Sequence, residues 1–271
     1  DHLLPTTRLR FAYRDSKCDA ATSLSGALHL TRDAFGGVGA HAIIGAACSG
    51  ASGPAAQVGE ASQVPVISAS STSLTLSNGL AYPYFARSIP SDAFATIAMV
   101  DVLRTLFNYT SVALAHSMDA YGAGGGRAFA EAARDAGLDV RITESFPKDA
   151  GDFSAQQRAL QQSGARVIVL YCQASDASRF VRTAFEVGLG GPGYLWLGGD
   201  TMADAGLWEA DAVLASDEAL RERVLRGVFS VKPDGQPQGS PAYQGYLARR
   251  QQLPSTAGDG LSCNLETDDD G

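Results

Sequence analysis

The sequence predicts an α/β protein built from two successive sets of strand–helix units. Three observations point there. Short apolar runs such as 41–45, 65–69, 111–116 and 166–172 alternate with amphipathic stretches along nearly the whole chain, the pattern of buried parallel strands joined by crossover helices. The runs 41–45 and 65–69 each lead into small hydroxyl residues, as a strand feeding a loop and then a helix would. Proline punctuates the chain at 88–92 and again at Lys232-Pro233-Asp234-Gly235. These points divide it into a first lobe, 1–90, a second lobe, 91–230, and a segment 231–271 holding a return crossing, a first-lobe helix and a tail. Chain crossings at both points suit a hinge.

Taken in order, the chain opens with a strand at 8–13. Asp19 can cap a helix whose apolar face carries Leu24, Leu28 and Phe35, and Gly36-Gly37 ends it. Strand 41–45, helix 53–62, strand 65–69 and a short helix from Ser71 follow, with a turn at Ser77-Asn78-Gly79 and a strand at 84–89. Pro90-Ser91-Asp92 opens a helix running to 107. Its polar residues Asp101, Arg104, Thr105 and Asn108 share one stripe, so the rest of its surface is expected to be buried. Then come strand 111–116, helix 122–136, strand 138–145, helix 152–163, strand 166–172, helix 176–188, strand 193–198, helix 217–225 and strand 227–232. A helix at 241–250 follows, and the polar residues 254–271, ending in an Asp run, are expected to be a mobile tail.

Composition narrows the function classes. A chain of 271 residues with 45% hydrophobic and 18% charged residues is that of a folded soluble protein. Net charge is −8 with no basic cluster, which argues against a nucleic-acid partner. No apolar run approaches the ~20 residues of a membrane span. The opening DHLLPTTRLRF lacks Met and an apolar leader, as in a processed or excised segment, and leaves the compartment open. His2, His29, His41 and His116 show no metal-ligand spacing, and Gly122-Ala123-Gly124-Gly125-Gly126 lacks the final glycine of a dinucleotide fingerprint, so no metal or cofactor is expected. A hydrolase using Ser49 or Cys48 would lack a base and an orienting acid, apart from His116, so the chain does not read as an enzyme. Asn108-Tyr109-Thr110 is a sequon, making Asn108 a candidate glycan acceptor in a secreted eukaryotic chain. The four cysteines permit three pairings. Cys18 and Cys48 each follow a predicted strand; if those strands are neighbours the two could bridge, and otherwise they are free buried thiols. Cys172, in VIVLYC, reads as a small buried hydrophobe, and Cys263 sits in the polar tail.

Ligands in open α/β sheets lie outside the carboxyl ends of strands. Two neighbouring strands that both end in Ser/Thr offer hydroxyls and helix-start amides, which suit a carboxylate. The order Cys48-Ser49-Gly50, Ala69-Ser70-Ser71-Thr72, Leu76-Ser77-Asn78 and Phe85-Ala86-Arg87-Ser88-Ile89-Pro90-Ser91-Asp92 resembles the ligand-binding ectodomain of class C G-protein-coupled receptors. That group includes the metabotropic glutamate and metabotropic GABA receptors. Its wider superfamily includes bacterial branched-chain amino-acid-binding proteins and natriuretic-peptide receptor ectodomains. The similarity runs from about residue 3 to about 246 and is strongest in 3–19 and 41–122.

The resemblance implies a bilobed, periplasmic-binding-protein-like type I fold (a Venus flytrap), with two doubly wound parallel-sheet lobes and the ligand between them. The first lobe would be incomplete here, because family members begin with another strand and helix and continue well past the segment matching Tyr246. It implies a Cys18–Cys48 disulfide, since DSKCD followed by Cys-Ser is the metabotropic GABA pattern. Residue by residue it implies a free α-amino acid held as follows. Ser49 takes the α-carboxylate through hydroxyl and amide, and the Ser70 backbone contributes at the same end. Thr72 contacts the α-amino group, and Asp92, Tyr121 and Asp200 complete the surroundings of the ammonium. Tyr121 and Asp200 belong to the second lobe, so closure would complete the site. Two carboxylates near one ammonium repel each other when the site is empty. Singly, the same residues are ordinary: Ser49, Ser70 and Thr72 as strand–helix junctions, Asp92 as a helix cap, Tyr121 as packing, Asp200 as a turn residue. Their joint register favours the site. Cys48 follows the GABA-receptor and bacterial pattern, whereas Thr72 and Asp200 follow the glutamate-receptor one.

The function so implied is an extracellular module that senses an α-amino acid or close analogue and closes to signal to a membrane-attached receptor. It would sit at the outer face of the plasma membrane, form a homo- or heterodimer through the first lobe, and belong to a longer chain with a membrane region elsewhere. The alternative is a periplasmic solute-binding protein of the branched-chain amino-acid transport type.

Overall fold

Two parallel sheets carry the chain in the computed structural model, which describes residues 9–203, 208–209, 211–233, 244 and 248. The smaller sheet holds β1 (Ile43–Ile44), β2 (Val66–Ser68) and β3 (Phe85–Arg87) in that order. The larger holds β4 (Ser111–Ser117), β5 (Asp139–Phe146), β6 (Val167–Tyr171), β7 (Leu195–Gly198) and β8 (Val228–Ser230) in the order β5-β4-β6-β7-β8. Every pairing is parallel. The larger order is doubly wound, with its switch point between β4 and β6, where such sheets open a crevice at their carboxyl ends. β6 is buried at all five positions, which is why Val-Ile-Val-Leu-Tyr reads as one apolar run. One face of this sheet packs Phe146, Phe153, Phe180 and Trp196, the first three with ring centroids 4.9–5.1 Å apart.

The helices are α1 (Ala20–Asp33), α2 (Ser49–Ser62), α3 (Asp92–Asp101), α4 (Ala120–Asp135), α5 (Ser154–Gln162), α6 (Ala174–Glu186), α7 (Ala212–Ser216) and α8 (Glu218–Leu225). α1 starts as the sequence predicts, with the Asp19 carboxylate accepting from the Thr22 amide at 2.7 Å. The face it buries differs. Ser23 and Ala27 are buried, and the Ser23 hydroxyl donates to the Ala51 carbonyl at 2.7 Å, so small residues bring α1 close to α2 while Leu24 stays 41% exposed.

Four further expectations are corrected. No strand forms at 9–13: β1 hydrogen-bonds only to β2 among the described residues, and Leu9, Phe11 and Tyr13 are largely exposed. An extended segment becomes a strand only where a neighbour takes its amides and carbonyls. α2 begins at Ser49 rather than 53, with Pro54 inside it; Gly53-Pro54 looks like a helix start because proline favours a first turn. α3 is not buried around the rest of its surface. Thr96, Met99, Val100 and Leu103 form the buried stripe against α4, whereas Phe94 and Ile97 are exposed. After Asp101 the helix continues as one π turn, Val102–Leu106. Leu74–Ser77 forms a 3₁₀ turn where a short helix was expected from Ser71. Helix 241–250 lies outside the described residues except for Gln244 and Ala248, both helical; the tail and Cys263 lie outside them altogether.

The glycine run of α4 serves packing rather than phosphate binding. A Cβ on Gly125 would enter the Tyr171 ring, one on Gly122 the Ser117 backbone, and one on Gly124 would lie 2.6 Å from the Ser73 hydroxyl. The helix therefore lies directly on β4 and β6 and against the loop from the smaller sheet. Cys18 and Cys48 are disulfide-bonded, with Cα atoms 5.4 Å apart and a sequence separation of 30. The bond ties the approach to α1 to the start of α2. Across the two sheets the Ser73 hydroxyl donates to the Ala120 carbonyl at 2.9 Å, and Lys148 Nζ to the Cys18 carbonyl at 3.4 Å. Among the described residues no helix is long and apolar enough to cross a membrane.

Candidate functional site

The loop after β2 folds on its own serines. Ser68 Oγ donates to the Ala46 carbonyl at 2.7 Å and accepts from the Ser71 amide at 3.0 Å; Ser71 and Ser52 hydroxyls lie 2.8 Å apart. Arg87, at the end of β3, fixes the rest. One guanidinium nitrogen donates to the carbonyls of Ser71 (3.2 Å) and Ser73 (2.9 Å), which flank Thr72, and the other to the Ser77 hydroxyl. Burial lowers the Arg87 pKa, and the charge of Asp92 opposes that.

Asp92 meets this loop from the crossing. Its amide donates to the Thr72 carbonyl at 2.9 Å. Ser91 is the cap of α3, its hydroxyl accepting from the Ala93 amide at 3.4 Å. The capping role that Asp92 could have played alone therefore falls to Ser91, and the carboxylate of Asp92, the first helical residue, is left for other work. Asp200 arrives in a 3₁₀ turn after β7. The Tyr121 phenol donates to its Oδ1 at 2.6 Å.

Thr72, Asp92 and Asp200 line a cavity of about 170 Å³ together with residues of α3 and of the return crossing at 231–233. Two side-chain atoms of these residues, Thr72 Oγ1 and Asp92 Oδ2, are fully buried, and neither makes a hydrogen bond of ordinary geometry. Burial and, next, the negative charge of Asp200 push the Asp92 carboxyl up to about 7; the neighbouring Thr72 hydroxyl and the Arg87 charge act the other way with less effect. Burial, then the charges of Asp200 and Asp92, raise the Tyr121 pKa well above the usual phenol range, so it stays a donor.

The six residues named from sequence are thus placed unequally. Thr72, Asp92 and Asp200 share the cavity, and Tyr121 is bonded to Asp200. Ser49 is buried as the first residue of α2; its hydroxyl accepts from the Ser73 amide at 3.2 Å and does not line the cavity. Ser70 is exposed, and its hydroxyl donates to the Ala47 carbonyl at 2.9 Å. Sequence reasoning assigned no role to Arg87, to Ser73, which bridges the sheets, or to the α3 residues Phe94, Ala95 and Ala98, which wall the cavity. A lone arginine in the otherwise small and apolar FARSI run was the available signal for the first. Asn108 is exposed in the turn before β4. Among the described residues no group of His, Cys, Asp and Glu is placed to hold a metal ion.

Two parallel sheets with a carboxylate-bearing cavity beside their crossings define a periplasmic-binding-protein-like type I α/β protein. The chain belongs to the family described as receptor family ligand binding region, whose model matches residues 1–265. Among curated proteins it is similar to a metabotropic glutamate receptor of Drosophila melanogaster, 32% identical over 161 residues, which cover 58% of this chain and 16% of that receptor. It is also similar to metabotropic glutamate receptor 4 of Macaca fascicularis, 32% identical over 59% of this chain and 18% of the receptor, and to metabotropic glutamate receptor 8 of Homo sapiens, 30% identical over the same shares. The matched region spans less than a fifth of each of these relatives.

Proposed function

We propose that this chain is an amino-acid-sensing module of a membrane-attached receptor, acting at the outer face of the plasma membrane. A free α-amino acid or close analogue lies between the two lobes, 1–90 and 91–230, and the lobes close on it. Its ammonium sits among Thr72, Asp92 and Asp200, with Tyr121 orienting Asp200. Its carboxylate meets Ser49, the amides at the start of α2 and the Ser70 backbone. The single observation that carries this reading is the pair of buried, unpartnered atoms Thr72 Oγ1 and Asp92 Oδ2, on two residues that line a cavity together with Asp200. Buried polar groups without partners are costly, so a donor-rich cation is the complement these two atoms call for. An ammonium brings three N–H donors and a positive charge. The kinship with metabotropic glutamate receptors supports the same class of ligand. The Cys18–Cys48 bond supports an oxidising compartment. Asn108 is the proposed glycan acceptor, and the first lobe the proposed dimer face.

A thermal-shift screen of the twenty amino acids against the complete ectodomain finds the ligand, and calorimetry then tests the residues. Ser49→Ala and Asp200→Asn should each weaken binding about tenfold or more, because a hydrogen bond to a charged partner is worth roughly 1.5–3 kcal/mol. Asp200→Asn should cost at least as much, since no backbone group replaces its charge. Unchanged affinity in both variants would refute the assignment.

A further inference from the structure

We infer that the amine end of this site is built to take an apolar substituent on the ligand's nitrogen, so that secondary amines such as N-methyl amino acids bind better than their primary-amine parents. The inference rests on the amino-acid reading and deepens it. Asp92, Asp200 and Thr72 are three of the residues that line the cavity. The rest of its wall is largely apolar: Pro90, then Phe94, Ala95 and Ala98 along α3, and Val231 and Pro233 from the return crossing, with Ser91 its other polar residue and Lys232 exposed. A single water needs about 10–15 Å³ of such space. A cavity of about 170 Å³ therefore extends well past one ammonium group.

A primary ammonium would satisfy these polar residues and leave water against an apolar wall that offers it no partners. A substituted one keeps two N–H donors, one for each carboxylate, and the Thr72 hydroxyl can then donate to Asp92 instead of accepting from the ligand. Its alkyl group covers the α3 wall. The exposed position of Phe94, which the helical pattern alone does not explain, fits this use, because Phe94 also lines the cavity.

The test is calorimetry on the complete ectodomain with glycine, L-alanine, L-leucine and L-glutamate, each beside its N-methyl derivative. For each pair that binds, the N-methyl member should bind about fourfold tighter, the gain of burying one methylene-sized group. Ala98→Leu, which adds bulk to the apolar wall, should weaken the N-methyl member at least tenfold more than its parent. N-methyl derivatives that bind more weakly than their parents, or an Ala98→Leu effect equal on both, would overturn the inference while leaving the amino-acid reading intact. No binding by any member of any pair would overturn both.

Discussion

Asp92→Asn should make the empty protein more stable and a worse receiver. Asp92 is 3% exposed, its Oδ2 has no partner, and its carboxyl is pushed from 3.8 up to about 7, by burial first and by the charge of Asp200 second. That is a rise of about 3 pH units, each worth about 1.4 kcal/mol, so the ionised side chain costs the folded state about 4 kcal/mol at pH 8. The sign follows from which state loses its proton first. Near pH 3 both folded and unfolded chains hold it and there is no penalty. The unfolded chain ionises near 3.8, the folded one only near 7, so stability falls as pH rises between those values and levels off above. Asparagine has the same shape and no charge. The variant should lose this slope, gaining up to about 4 kcal/mol at pH 8, on the order of 8 °C in Tm, and nothing near pH 3. Circular-dichroism melts of both proteins without ligand, across that range, would read it. A variant unchanged or destabilised at pH 8 would mean that Asp92 is already paired, and the argument for a cation at this site would fall. In the parent protein, amino-acid affinity should drop about tenfold per pH unit below about 7, as Asp92 takes up its proton; in the variant this component should be absent.

Two other tests address the scaffold. Gly125→Ala puts a methyl into the fully buried Tyr171 ring and should destabilise the protein by about 1–3 kcal/mol in urea; no loss would show that α4 does not lie directly on the sheet. Reducing the Cys18–Cys48 bond, which closes a separation of 30 residues, should cost about 3–4 kcal/mol, and a non-reducing peptide map showing both as free thiols would refute the pairing.

The central strands β4 and β6 were readable because burial on both faces forces continuous apolar runs: 111–116 and 166–172 match them to within a residue or two at each end. The cap at Asp19 was readable because its bond is local. What failed depended on distant partners. A strand at 8–13 needed a neighbour that β1 does not supply, and the buried face of α3 was decided by where α4 lies. The glycines of α4 resembled a weak phosphate motif because nothing local reveals that Tyr171 and Ser73 press on them. Within the site, residue types suggested a carboxylate-rich cluster, but which atoms lack partners is a property of the assembled loops. Likewise, nothing in Ser91-Asp92 tells which of the two takes the cap and which faces the cavity.

The grip of Arg87 on both sides of Thr72 has a mechanical consequence. β3, Arg87 and Asp92 are successive parts of one short stretch of chain, and the Thr72 loop is bonded to that stretch at both the guanidinium and the Asp92 amide. Three successive carbonyls, of Ser71, Thr72 and Ser73, are therefore pinned to the chain between residues 87 and 92. Asp200 and Tyr121 come from the larger sheet and from α4, against which α3, the helix that Asp92 opens, is itself packed. On the proposed reading, an ammonium group would meet Thr72 and Asp92 at a place whose backbone is already held by these bonds, with no loop left to be ordered when it arrives.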